Sequence, residues 1–140
     1  MVYQKGVFKM PGDIQEFLSH RTWAVVGASN DPSKYGNKVY HQLKKAGYIV
    51  FAVNPKLDNL DGDPCYPSLA QLPAKPDAVS TVVPPKATDK VVQDCIDLGI
   101  ERVWMQPGSE SEQAIQNGEA NGISVIYNQC VLIQTRDKVQ

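Results

Sequence analysis

The amino-acid sequence predicts a single α/β domain, a three-layer sandwich around a central, mostly parallel sheet of five strands. Three observations carry this expectation. Short apolar runs rich in β-branched residues recur at 23–26, 48–53, 78–83, 102–105 and 123–127. Segments of helical period separate most of them, the pattern of parallel crossovers with helices on both faces of the sheet. Each run also stops within two residues at Gly, Pro or Asn, as strands entering tight loops do.

Residues 1–12 are polar with Gly and Pro and read as a flexible arm, and residues 13–140 form the domain. Asp13 is placed to cap a short helix, with Glu16 three positions on and Ile14, Phe17 and Leu18 as its apolar face. The first strand, 23–26, runs into Gly27-Ala28-Ser29. Val39, Leu43 and Ala46 then recur at helical spacing until Gly47, in the place of a C′ glycine. The second strand, 48–53, halts at Asn54-Pro55, and 56–67 reads as loop before a helical turn at 68–72. Pro84-Pro85 closes the third strand, 78–83. Ala87, Val91, Cys95 and Leu98 are expected on one buried helical face that Gly99 ends. After the fourth strand, 102–105, Ser109 and Glu112 read as a capping box for a helix to about 122. The fifth strand is 123–127, and 131–133 is expected to pack back onto the sheet.

The chain has 140 residues, 42% hydrophobic and 21% charged, with a net charge of −1. That balance excludes a polybasic nucleic-acid binder, which needs clustered Lys and Arg to release counterions, but leaves room for a local basic cluster around a small anion. No apolar run approaches the ~18 residues of a membrane span, and the first ten residues lack the apolar stretch of a signal peptide. The three cysteines, Cys65, Cys95 and Cys130, form no CxxC pair. A reduced, cytoplasmic protein without a metal site is the expectation.

In an open parallel sheet, ligands bind at the carboxyl ends of the strands where strand order reverses. Four loops lie there: 27–36, 54–56, 83–86 and 106–109. The first joins Gly27, Ala28 and Ser29 to Lys34 at a helix start, where unpaired N–H groups and the helix dipole suit a phosphate or diphosphate. It departs from the dinucleotide pattern G-x-G-x-x-G, with Ser29 in place of the second Gly. The second strand ends in Asn54, not in the acid that grips the NAD ribose. Lys56, just beyond Asn54-Pro55, either meets an extra phosphate or is a solvated loop lysine.

Ala24-Val25-Val26-Gly27-Ala28-Ser29, Asn54-Pro55 and Val82-Val83-Pro84-Pro85 together resemble the CoA-binding domain family. These are small Rossmann-like proteins similar to the N-terminal domain of the succinyl-CoA synthetase alpha subunit. The segment 94–99 (Asp-Cys-Ile-Asp-Leu-Gly), the run Val103-Trp104-Met105-Gln106-Pro107-Gly108, and Asn128-Gln129-Cys130 extend the resemblance across 14–130. It implies coenzyme A or an acyl-CoA as ligand. Gly27, Ala28, Ser29 and Lys34 would contact the diphosphate, and Asn54, Pro55 and Lys56 the adenosine and its 3′-phosphate. Val83 and Pro84 would flank the adenine or ribose, and Met105, Gln106 and Pro107 would line the pantetheine path. Many relatives carry Arg where Lys34 stands, and a lysine keeps the charge but not the bidentate fork.

No catalytic constellation emerges. His20 ends the first helix, and His41 lies two residues past Val39 and two before Leu43, off the buried face; neither has a nearby partner in sequence that suggests a dyad. Cys95 reads as core, and Trp23 and Trp104 on strands read as core too. Cys65 sits in a loop between prolines. Cys130 either packs under its loop or faces the thiol tip of a bound CoA. The leading expectation is therefore a non-catalytic CoA-binding protein acting as a carrier, a sensor or a partner subunit of an enzyme, with a homo-oligomer as a further expected partner state. The alternatives are an NAD(P)- or acyl-CoA-dependent enzyme completed by an oligomer partner, and an interaction domain with a vestigial site.

Overall fold

The computed structural model describes residues 12–139. Asp13 caps the first helix, its carboxylate accepting from the N–H groups of Gln15 and Glu16 at 2.8 and 3.3 Å. That helix, α1 (Ile14–Leu18), leads into β1 (Thr22–Val26), α2 (Tyr35–Lys45), β2 (Ile49–Val53), β3 (Asn59–Leu60) and β4 (Asp63–Tyr66). A 3-10 turn at Leu69–Gln71 precedes β5 (Ala78–Thr81), α3 (Pro85–Leu98), β6 (Arg102–Met105), α4 (Glu112–Ala120), β7 (Ser124–Ile126) and α5 (Val131–Thr135). The expected arm lies outside the described residues except for Gly12, whose N–H donates to the Val125 carbonyl at 2.9 Å.

All five expected strands form, in the order β3-β4-β2-β1-β5-β6-β7, and the sheet gains two strands that the sequence reading assigned to loop. β4 pairs parallel with β2, Ala52 opposite Cys65, while β3 pairs antiparallel with β4. The tight turn between them carries positive φ at both Asp61 (50°) and Gly62 (+92°), the conformation that joins two twisted strands. Strands of two and four residues, one interrupted by Pro64, are too short for alternation to show.

Burial follows the strand period. Trp23 and Val25 face the layer of α1, α2 and α5 with Phe17, Leu43 and Trp104, whereas Ala24, Val79, Val103 and Met105 face α3 and α4. Cys95, Trp23 and Trp104 are in the core as expected, and burial pushes the Cys95 thiol up to about 12. Two helix details differ from the expectation. Ala87 and Leu98 are exposed, because the buried stripe of α3 is Thr88, Val91, Val92 and Cys95. The cap of α4 is Ser111, which accepts from the Ala114 N–H, while Ser109 is buried in a hydroxyl cluster with Thr81 (2.8 Å) and Thr88 (2.9 Å).

Ser80, in the middle of the sheet, is fully buried and its hydroxyl has no hydrogen-bond partner among the described residues. A buried hydroxyl without a partner loses its hydration for nothing. Ser80→Ala should therefore leave stability unchanged or raise it by about 1 kcal/mol, measured by urea titration.

Candidate ligand site

The chain leaves β1 toward β2 on one side of the sheet and fills the other side later with β5, β6 and β7. The point of reversal lies between β1 and β5, where the loops after these strands diverge and leave a crevice. Two glycines bring the walls of that crevice together. Gly27 has φ +97°, and a Cβ there would sit 2.2 Å from the Val82 carbonyl oxygen. A Cβ on Gly36, in the first turn of α2, would sit 1.9 Å from the carbonyl oxygen of Gly27. No larger residue fits either place without moving backbone.

Side-chain amides then fix the loop. The buried Asn37 donates to the Ser29 carbonyl at 2.9 Å, and Asn54 donates to the Ala28 carbonyl at 2.8 Å. Asn54 also accepts from the Lys56 N–H at 2.9 Å, so it braces the tips of β1 and β2 against each other. Asn30 reaches across to the hairpin, donating to the Asn59 carbonyl and accepting from the Asp61 N–H, both at 3.2 Å. The hairpin is tied in turn to α2 through Asp63, which Lys44 (2.6 Å) and Tyr40 (2.8 Å) both bond; Lys44 and then Tyr40 hold that carboxyl below its ordinary range. Within the loop, the Ser33 hydroxyl and N–H keep the Asp31 carboxyl low. Lys34 stands exposed at the N-cap of α2 with no side-chain capping bond, and Pro55 and Lys56 are exposed at the tip of β2.

Next to this loop is a cavity of about 500 Å³. Val82, Val83 and Pro84 line it from the end of β5, Gln106, Pro107, Gly108 and Ser109 from the end of β6, Cys130 and Ile133 from the start of α5, and Tyr35 from the start of α2. Of the residues expected at the site, Val83, Pro84, Gln106 and Pro107 line this cavity, while Gly27, Ala28, Ser29 and Lys34 form the adjoining loop. Met105 does not reach it: β6 turns that side chain to the opposite face, where it is fully buried in the α3–α4 layer. Ala28 is also fully buried, so only its backbone is available to a ligand.

Tyr35, Gly108 and Ser109 fall in the expected ligand loops 27–36 and 106–109 without being singled out as contacts, and Ile133 lies outside those loops. Tyr35 and Ile133 are large apolar side chains left 61% and 56% exposed beside a cavity, a signal that exists only in three dimensions. Gln106 is 3% exposed and clamps α5 to the sheet, its side-chain Oε1 accepting from the Val131 N–H at 2.7 Å and its side-chain Nε2 reaching the Cys130 Sγ at 3.4 Å. The histidines do find acidic partners in space, His20 with Glu16 (2.6 Å) and His41 with Asp61 (2.7 Å), but neither lines the cavity. Among the described residues no group of His, Cys, Asp and Glu could hold a metal, and no helix is long and apolar enough to cross a membrane.

This geometry agrees with the comparisons to known proteins. A family model described as the CoA binding domain matches residues 21–136. The chain is 30% identical over 118 residues to acetate–CoA ligase (ADP-forming) I of Archaeoglobus fulgidus, covering 77% of this chain and 17% of the ligase. It is 27% identical over 122 residues to the uncharacterized protein YneT of Bacillus subtilis, covering 86% of this chain and 90% of that one. A solved structure of a conserved hypothetical protein from Pyrococcus furiosus superposes with a TM-score of 0.78 at 37% identity, over 82% of this chain and 99% of that one. The chain thus spans under a fifth of the ligase but nearly all of the two small proteins. With the residues, the fold and the sequence match in agreement, the chain belongs to the CoA-binding domain family.

Proposed function

We propose that this protein binds coenzyme A or an acyl-CoA without itself transforming it. The diphosphate would lie on the loop of Gly27, Ala28 and Ser29 at the N-terminus of α2, and the pantetheine arm would run into the cavity. The observation that carries this reading is the double close approach at Gly27 and Gly36, which sets bare backbone against the start of an eleven-residue helix beside a cavity. The N–H groups of Gly27 and Ala28 already donate to the Val53 carbonyl at 3.0 and 3.4 Å. The donors and the positive dipole end available to a diphosphate are therefore those of the first turn of α2. Neutral Asn54, already engaged with Ala28 and Lys56, offers no carboxylate to a dinucleotide ribose. A second reading, a partner subunit supplying catalytic groups, is favoured by the ligase relative, of which this chain matches only 17%.

Titration calorimetry tests the placement through its two cations. Lys34→Ala should weaken CoA binding by ~1–3 kcal/mol, and the loss should shrink as salt screens it. If Lys56 meets the 3′-phosphate, the protein should prefer CoA over 3′-dephospho-CoA by about 1 kcal/mol, and Lys56→Ala should erase that preference. A coupling term of zero between Lys56 and the phosphate removes Lys56 from the site. An unchanged affinity for Lys34→Ala at low salt moves the diphosphate elsewhere.

A further inference from the structure

The cavity's walls go beyond what a free thiol requires. Resting on the reading just given, we infer that the site takes the acyl chain of an acyl-CoA thioester and selects uncharged, apolar acyl groups over free CoA and over dicarboxylic acyl groups. A volume of about 500 Å³ lies within the roughly 300–1,000 Å³ span of sites that enclose whole small molecules. Among the described residues no Lys, Arg, His, Asp or Glu lines it. Its rim is the exposed Tyr35 and Ile133, and an apolar chain lying between them would remove that surface from water.

The polar groups of the loop after β6 are already committed. In the loop after β6, the Gln106 N–H donates to the Thr81 carbonyl at 3.1 Å, Pro107 has no N–H, and the Ser109 N–H donates to the Gln106 carbonyl at 2.8 Å. The Gly108 N–H donates to the Glu110 carboxylate at 2.7 Å. The Gln106 side-chain Oε1 accepts from the Val131 N–H, and the Ser109 hydroxyl sits between Thr81 and Thr88. An acyl carboxylate entering here would lose its hydration, meet no uncommitted donor from this loop, and lie close to the Glu110 charge. A methyl-terminated chain loses nothing.

Calorimetry on the full chain with CoA, acetyl-, butanoyl-, hexanoyl- and succinyl-CoA tests this. Affinity should rise about fourfold per buried methylene from acetyl to hexanoyl. Butanoyl-CoA should bind at least tenfold more tightly than succinyl-CoA, whose acyl group has the same four carbons with a carboxylate in place of the terminal methyl. Ile133→Asp, at a position exposed enough to accept a charge, should flatten the chain-length slope. A flat series, equal affinities for butanoyl- and succinyl-CoA, or an unchanged slope in Ile133→Asp overturns the proposal. If CoA still binds in those cases, only this inference falls; loss of binding to CoA and every thioester overturns the underlying reading as well.

Discussion

Gly36→Ala should lower stability by about 3 kcal/mol and Tm by about 10 °C, and the fraction that stays folded should lose CoA binding. The added methyl would meet the Gly27 carbonyl oxygen at 1.9 Å, and its neighbour is backbone, so no side-chain rotation relieves the clash. Either the first turn of α2 moves away from the loop or the loop shifts toward β5, and Gly27 already has no room on that side. Gly47→Ala is the control. Gly47 has φ +98° but nothing within 4 Å of an added Cβ, so it carries backbone strain without a clash and should cost about 1–2 kcal/mol with binding intact. Thermal unfolding and calorimetry on both variants separate the two effects. Equal losses in the two would mean that the close approach at Gly36 contributes nothing.

Trp104→Ala should cost ~3–5 kcal/mol, the range for emptying a large buried aromatic site, and should weaken ligand binding too. Its ring is fully buried against Phe17 and Trp23, and its indole N–H donates to the Gln129 carbonyl at 2.8 Å. That bond holds the segment leading to Cys130 and α5, one wall of the cavity. Trp104→Phe keeps much of the packing and removes the tether, so it should lose about 1–2 kcal/mol of stability. Denaturant titration gives the first quantity and calorimetry the second. A Trp104→Phe protein with full stability and full affinity would show that the tether does not shape the wall.

The parallel sheet was legible because β1, β2, β5, β6 and β7 are apolar on both faces and read as continuous runs. The hairpin of β3 and β4 was not, since four of its six residues are Asn, Asp, Pro and Tyr and its pairing depends on β2 being alongside. Asp61-Gly62 carried a turn signal, but a turn without flanking alternation does not announce strands. The loops at the strand ends, with Gly27, Ser29, Lys34, Pro84 and Pro107, were legible as loops from glycine, proline and charge, and the structure places them beside or in the walls of the cavity. Met105 is turned from the cavity into the α3–α4 layer because successive side chains of β6 point to opposite faces, which its position at the strand end does not show. Tyr35 and Ile133 were missed because α2 and α5 meet only in the folded chain.

On the function proposed above, the crevice between β1 and β5 recognises coenzyme A rather than a dinucleotide. Thermal melting of the purified chain with CoA, NAD and ATP at equal concentration tests it most directly. At a hundredfold excess over its dissociation constant CoA should add about 2.7 kcal/mol of stability by mass action and raise Tm by several degrees, while NAD and ATP leave it nearly unchanged. Stabilisation by NAD equal to or greater than that by CoA would contradict the account.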